Sequence, residues 1–282
     1  MARFAAGRNT VHIDPAMEDV LQQVLAIKLW AVGVWLVLLF AAERLWPAAR
    51  PARDEGPFGW RRLLRNAGLW AINTGLSPLV VLPITVWAAA NAWSWREAIA
   101  LPDWWSPWLW LAVDLVVLDL FLYWWHRANH EIAFLWRFHA VHHLDRFLDT
   151  TSAVRFHFGE VLLSAVVRGG FIMLADIGLT AVIVFETLVL VATLFHHSNL
   201  RLPGGLERGL ARLVITPSIH WVHHHAVRRD TDSNYGTVFS FWDRLFGTRN
   251  RRSRDLDMTI GVEGRGESDL LGMLTAPFRR RD

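Results

Sequence analysis

The chain has 282 residues, 53% of them hydrophobic, with 17 tryptophans, no cysteine and a formal net charge of +3. Without cysteine it can hold neither a disulfide nor a thiolate-ligated iron–sulfur cluster, so every metal ligand must be nitrogen or oxygen. Lys28 is the sole lysine among its 29 basic residues; the arginines lie at the termini and between apolar runs, as charges flanking membrane spans do, and nucleic acid is not expected as a partner.

Residues 1–20 read as a polar N-terminal segment, and His12 within it stands apart from the other histidines. Residues 21–42, 69–93 and 104–125 each approach or exceed the roughly 20 apolar residues that cross a bilayer core as a helix. The first run is preceded by Glu18 and Asp19 and lacks a small-residue cleavage site, which predicts a retained helix and no removable signal. Pro78 and Pro83 predict a kink in the second. Residues 161–175 and 179–195 are shorter and carry Arg168 and Glu186, which predicts a thin helical hairpin or a re-entrant pair. Trp104, Trp105, Trp108, Trp110, Trp124 and Trp125 suit an aromatic belt at the headgroups.

Arg44, Arg50, Arg53, Arg61, Arg62 and Arg65 follow the first span, whereas only Arg96, beside Glu97 and Asp103, follows the second. The first loop is therefore expected to be cytoplasmic. Carried forward, that assignment puts residues 126–160 and everything after residue 195 on the same side. An acid inside a span needs protein, water or a partner; Asp114 and Asp119 are such acids, and Asp119 lies two helical turns below His126, where it could bond a ligand imidazole or an arginine.

Twelve of the thirteen histidines fall between His126 and His225. Eight form three clusters: His126-Arg-Ala-Asn-His130, His139-Ala-Val-His142-His143 and His220-Trp-Val-His223-His224. Imidazoles three or four residues apart share a helix face, so each cluster presents several nitrogen donors together. Thr216-Pro217-Ser218 suits a helix start before the third. Two ions with four or five nitrogen ligands each need slightly more than eight donors, and His157, His196 and His197 are the candidate supplements. His225 points away from the face of its neighbours. Asp232 and Asp243 could orient ligand imidazoles through the second ring nitrogen, and Asp230 to Gly236 reads as a turn. Imidazole suits iron, zinc, copper and nickel, so spacing does not choose the metal.

Over residues 110–250 the sequence resembles the fatty acid hydroxylase/sterol desaturase superfamily of integral-membrane di-iron enzymes. The likeness is carried by Tyr123-Trp-Trp-His126, Trp136-Arg-Phe-His139, Thr151-Ser-Ala-Val-Arg155-Phe-His157 with Glu160, and His197-Ser-Asn-Leu-Arg-Leu-Pro203. It continues through Thr216-Pro-Ser-Ile-His220, Asn234-Tyr-Gly236 and Trp242-Asp-Arg-Leu-Phe-Gly-Thr248, and the last stretches look most like the alkylglycerol monooxygenase branch and its bacterial relatives. The resemblance implies an all-α, polytopic bundle with a cytoplasmic helical lobe. In it, His126, His130, His139, His142, His143, His157, His196 or His197, His220, His223 and His224 bind two non-haem iron ions, with zinc possible as isolated. Together with the apolar runs it gives an expected division into the polar segment 1–20, transmembrane helices 1 and 2 over residues 21–103, a catalytic domain over 104–250 and a basic tail over 251–282.

A di-iron centre can use dioxygen to attack an unactivated C–H bond, so the expected activity is hydroxylation of a fatty acyl, sterol or ether lipid drawn from the bilayer. The same scaffold can desaturate. A zinc or iron transporter is the rival from another class and predicts ligands near the bilayer midplane; a bis-histidine haem carrier is a third. The chain has no dinucleotide glycine fingerprint, no cysteine cluster and no His-Pro-Gly-Gly segment, so a separate ferredoxin, reductase or cytochrome is expected to deliver electrons. Arg249, Arg251, Arg252 and Arg254 could dock an acidic partner or anionic headgroups, the second being favoured.

Overall fold

A computed structural model describes residues 15–50, 59–102 and 104–279. The start of the polar N-terminal segment with His12, Arg53 of the basic loop, Asp103, and the last three residues of the tail lie outside the described residues.

Among the described residues the architecture is all-helical, with only isolated β-bridges. Helix α1 (Pro15–Leu45) opens on a proline, whose missing N–H costs nothing in a first turn. It is followed by α2 (Trp60–Leu76) and α3 (Leu82–Ala90), joined by a π-helical turn at Ser77–Val81. Pro78 sits in that turn and Pro83 just beyond it, so the expected kink takes the form of an extra residue absorbed into the helix. Helix α4 (Pro107–Glu131) has 25 residues, about 37 Å, and so outruns the bilayer core. After the single extended residue Ile132 comes α5 (Ala133–His143). A 3₁₀ turn at Thr150–Val154 leads to α6 (Phe158–Ala175) and α7 (Leu179–His197), a hairpin closed by Asp176 in the left-handed region at φ 56°.

Five segments are long and apolar enough to cross a membrane: Met17–Leu45, Trp60–Ala98, Pro107–Glu131, Phe158–Ala175 and Leu179–His197. The hairpin expected to be thin or re-entrant thus consists of two full candidate spans. The outer faces of the five segments bear large bare side chains, Leu29 at 82% and Trp30 at 80% exposure on α1 among them, which water would not tolerate over so wide a surface. The protein is an integral membrane protein. Ala88, Leu118, Ile172, Ile177, Val182 and Phe185 pack α3, α4, α6 and α7 together inside the bundle. Asp114 is paired there with Arg96 at 2.7 Å.

Short helices complete the lobe beyond the spans: α8 (Gly204–Leu210), α9 (Pro217–His223), α10 (Arg228–Thr231), α11 (Phe241–Leu245) and α12 (Leu270–Thr275). The segment expected as a basic tail is bound down. Met258 and Ile260 pack with Leu148 and Trp221, and Met273 packs with Leu69 and Val141. Contacts therefore cross the sequence divisions at residues 103 and 250.

Buried ion pairs tie the first helices to the lobe. Arg62 on α2 reaches Asp145 at 2.9 Å and also bonds Asp149, while Asn66, one turn on, donates to Asp145 at 3.1 Å. Glu43 on α1 accepts from Thr150 N and Oγ1 at 3.0 and 2.8 Å and from Asn199 N at 3.0 Å. Arg62, counted among the arginines of the loop after the first span, lies in α2 and is 1% exposed.

Candidate metal centre

Two sets of imidazoles converge at the C-terminal ends of α4 and α7. In the first, one ring nitrogen from each of His126, His130, His139, His143 and His223 lies within 4.8 Å of all the others; His142, His197, His220 and His224 form the second under the same limit. The two sets abut, the His143 and His224 rings stacking at 4.3 Å.

Helical geometry explains the sorting. Residues four apart share a face, whereas adjacent residues diverge by about 100°. His126 and His130 on α4 therefore enter one set together, as do His139 and His143 on α5, while His142 between them turns to the other. On α9 the assignment inverts: His220 and His224 join the second set and His223 the first. Each His-x-x-His-His stretch thus straddles the two sets. Helix α9 starts at Pro217 as the Thr-Pro-Ser pattern predicts, although the Thr216 hydroxyl makes no capping bond.

The outward nitrogens are held by acceptors. His126 Nδ1 bonds the Tyr235 carbonyl at 2.8 Å, His223 Nδ1 the Ser233 carbonyl at 2.6 Å, His142 Nδ1 the Arg155 carbonyl at 3.0 Å and His197 Nδ1 the Thr193 carbonyl at 2.8 Å. A carbonyl only accepts, so in each ring Nδ1 carries the proton and Nε2 presents a lone pair. His142 Nε2 then faces His197 Nε2 at 3.1 Å with no hydrogen between them, and His220 Nε2 stands 2.9 Å from His197 Nε2. Opposed lone pairs at such distances repel unless a cation lies among them. Ligand nitrogens on one ion with bonds of about 2.0–2.1 Å stand about 3.0–3.4 Å apart, the same spacing. In the first set His130 Nε2, His139 Nε2 and His223 Nε2 are buried without any partner, as are both nitrogens of His143. Buried polar atoms are rarely left so. The residues fit a pair of ions held by nitrogen alone.

Burial also sets the protonation state. It holds the His142, His143, His220 and His224 imidazoles well below their usual range, helped by neighbouring rings, and it lowers His223 to about 3 against the opposing pull of the Ser233 carbonyl. Neutral imidazole is the metal-binding form. Folded, these rings stay neutral where the unfolded chain takes up protons, so the unfolded state binds more protons below about pH 6.5 and stability falls with falling pH. The metal-depleted protein is expected to show a flat melting temperature from pH 8 to 7 and a progressive decline from pH 6.5 toward 4. A melting temperature that rose on acidification would contradict this.

The remaining candidates are placed as follows. His157 accepts from Gly159 N at its Nδ1 (2.9 Å) and donates from Nε2 to the Leu274 carbonyl (3.0 Å), so both nitrogens are engaged in capping α6 and clamping α12. His196 lies against both His197 and His220, ring centroids 4.7 and 4.1 Å away, yet outside both sets, with Nδ1 unpartnered. Asp232 meets His130 Nδ1 at 3.3 Å. Asp243 accepts from Tyr235 N and Gly236 N at 2.7 and 3.0 Å and so steadies the loop whose carbonyl holds His126. Asp119 has no imidazole partner; it accepts from Val238 N, Phe239 N and Trp242 Nε1 at 3.2, 3.1 and 2.8 Å, fixing that loop to α4. The loop turns at Asn234, φ 54°, and at Gly236, where a Cβ would come within 2.7 Å of the Phe239 carbonyl.

Glu160 was not singled out for an orienting role by its sequence context. Its Oε1 meets His139 Nδ1 at 2.8 Å in a buried contact. An acid in the first turn of an otherwise apolar helix, three residues after a histidine, is the signal that could have flagged it. Glu160→Gln is expected to lower metal affinity about 10- to 100-fold, measured by competition with a chelator of known affinity; unchanged affinity would remove Glu160 from the site.

A cavity of about 400 Å³ runs from the histidines into the bundle between α2, α4, α6 and α7. Trp70, Phe121, Trp125, Phe156, Phe185 and Val189 line it. Arg168 and Glu186, paired at 3.1 Å, lie in its wall about 15 Å of helix from His196.

A sequence profile described as fatty acid hydroxylase matches residues 111–248. That stretch contains every residue of both imidazole sets. Residues 111–248 form a domain of the fatty acid hydroxylase family. Among curated proteins, ornithine lipid hydroxylase OlsE of Rhizobium tropici is 31% identical over 180 residues, covering 64% of this chain and 54% of the relative. Alkylglycerol monooxygenase of Xenopus tropicalis is 31% identical over 187 residues, covering 65% and 40%. Fatty acid hydroxylase vlmA of Lecanicillium sp is 30% identical over 161 residues, covering 50% and 43%. The chain thus spans about half the length of these relatives. No solved structure gives a significant match.

Proposed function

We propose that this protein is a membrane-bound non-haem di-iron oxygenase that hydroxylates a C–H bond of a lipid, with residues 104–250 as its catalytic unit. The observation that carries this reading is the pair of neutral, nitrogen-only imidazole sets at the mouth of an apolar cavity open to the bundle. The nine clustered residues are the proposed ligands, with His196 held in reserve at the second set and His157 serving the fold. Iron bound there would supply the capacity to activate dioxygen with two external electrons. The balance is one C–H bond, one dioxygen, two electrons and two protons giving one alcohol and one water.

The chain's own residues do the rest. Glu160, Asp232 and the carbonyls of Tyr235, Ser233, Arg155 and Thr193 fix the ring orientations, each through a proton on the outward nitrogen. The aromatic walls exclude water and admit an apolar chain from the bilayer. Binding ligands at the ends of α4 and α7 suits an oxygenase fed from the membrane better than a transport pathway, which needs sites at the midplane. Arg44, Arg50, Arg61 and Arg65 support a cytoplasmic location for the centre and for the C-terminal lobe.

The test is lipid analysis of cells with and without the protein under oxygen-18. The expected result is one lipid class gaining a single labelled oxygen. Loss of two hydrogens without label would make the enzyme a desaturase, and an unchanged lipid profile together with metal flux into vesicles would replace the reading with transport.

A further inference from the structure

A second concavity, of about 850 Å³, borders the residues that bond the first imidazole set and shares no lining residue with the apolar cavity. Its floor includes Asp232, Ser233 and Tyr235. Through these, three of the five rings of the first set lie one hydrogen bond from the cleft: His130 by Asp232, His223 by the Ser233 carbonyl and His126 by the Tyr235 carbonyl. The Tyr235 ring also stands 5.3 Å from that of His130. None of the orienting bonds of the second set reaches the cleft.

The charge of the cleft is unbalanced in one direction. Each acid there already has a cation: Glu131 has Arg127 at 2.7 Å, Asp230 has Arg252 at 2.7 Å and Asp232 has Arg228 at 2.6 Å. Arg229, Arg249 and Arg251 line the cleft with no carboxylate partner among the described residues. The lining is polar throughout apart from Val227, Tyr235 and Gly247, so it offers no track for an acyl chain. An anionic macromolecule seated on the three guanidiniums would lie against Asp232, Ser233 and Tyr235, the residues that bond those three rings.

We infer that this cleft is the docking surface for an acidic one-electron carrier protein, so that electrons enter across the first set while the lipid approaches from the bundle. The inference rests on the oxygenase reading. Each encounter oxidises the carrier by one electron and reduces the centre by one. Two encounters supply the pair that the hydroxylation consumes, and the two protons come from water. Separate entrances explain why the two concavities share no wall: a carrier seated during turnover does not block the lipid.

The test uses the full chain, iron-loaded, in phosphatidylcholine nanodiscs, with an acidic plant-type [2Fe–2S] ferredoxin as the probe. Binding of the oxidised ferredoxin, and the rate at which its reduced form reduces the centre, are followed in wild type and in Arg229→Gln/Arg249→Gln/Arg251→Gln. Expected are at least a tenfold loss of affinity and of reduction rate in the variant, a steep fall of wild-type binding between 50 and 300 mM salt, over which the Debye length drops from roughly 14 to 6 Å, and an unchanged rate with dithionite, which needs no docking. Metal content and the dithionite rate report whether the variant is intact, and the wild-type salt titration stands without it. Ferredoxin binding that ignores both salt and the substitutions overturns the inference. So does a variant that keeps ferredoxin binding but no longer retains phosphatidylglycerol through purification, which would make the face a lipid-headgroup surface. Arg-dependent ferredoxin binding with no lipid oxidised under any reductant leaves the docking surface standing and sinks the oxygenase reading instead.

Discussion

His142→Ala/His223→Ala is expected to purify with less than about a tenth of the wild-type metal. The double substitution removes one donor from each set, and the reason for so large an effect is local. His223 closes the first set from α9, the one helix of that set not contiguous with α4 and α5, and His142 is one of two second-set rings whose lone pair is fixed inward by a backbone carbonyl. Without them the first set keeps four nitrogens from a single helix pair and the second keeps three, two of which, His220 and His224, lack any fixed outward bond, their Nδ1 atoms being buried without partners. Elemental analysis of the purified variant decides the matter. Full occupancy would mean that the ions, if any, sit elsewhere.

Arg62→Met is expected to destabilise the protein by about 3–5 kcal/mol, because it strips the cation from buried Asp145 and leaves buried Asp149 only the longer contact with Arg44 at 3.9 Å. Asp145 and Asp149 are both buried, and each is bonded to the guanidinium. Nearby Arg155 does not replace it, since its own guanidinium is committed to Asn66, Glu267 and the Val141 carbonyl. For a protein of this size the loss corresponds to a melting temperature lower by roughly 5–8 °C. Adding Asp145→Asn and Asp149→Asn should recover most of it by removing the stranded charge. If Arg62→Met melts with wild type, or the triple substitution is no better than the single, the network is not what secures the lobe to α2. Metal retention should follow stability, because Asp145 lies two residues after His143.

The candidate site was legible in the chain to the extent that helical periodicity governs it. Clusters spaced by three and four announce shared faces, so the convergence of three helices on metal could be expected from spacing alone. What periodicity does not contain is which face meets which. The division of His142 from His143 and of His223 from His224 follows from how α5 and α9 lie across each other, and no local pattern states that. The supplements show the same limit. His157 and His197 sit in equally plausible places along the chain; His197 has its lone pair in the second set, whereas both nitrogens of His157 are taken by Gly159 and by Leu274, more than a hundred residues away.

The spans were legible because a bilayer demands a run of apolar side chains about 20 residues long. The polar ends of the same helices were not. Helix α2 begins at Trp60, within residues that read as a charged loop, because Arg62 and Asn66 find partners in Asp145, Asp149 and Thr151. Asp119 was legible as an acid in need of partners, yet only the folded chain sets Val238, Phe239 and Trp242 around it.

By itself, then, the order of residues determined the membrane helices, the sulfur-free character of the candidate centre and the faces on which its donors lie, since these depend on composition and on a period of 3.6 residues. The tertiary structure alone decided which imidazoles gather in each set, which carbonyls and carboxylates hold their outward nitrogens, and where the apolar and cationic concavities open. Those are contacts between segments far apart in the chain, and a lone pair acquires its direction only from the partner that holds the opposite side of its ring.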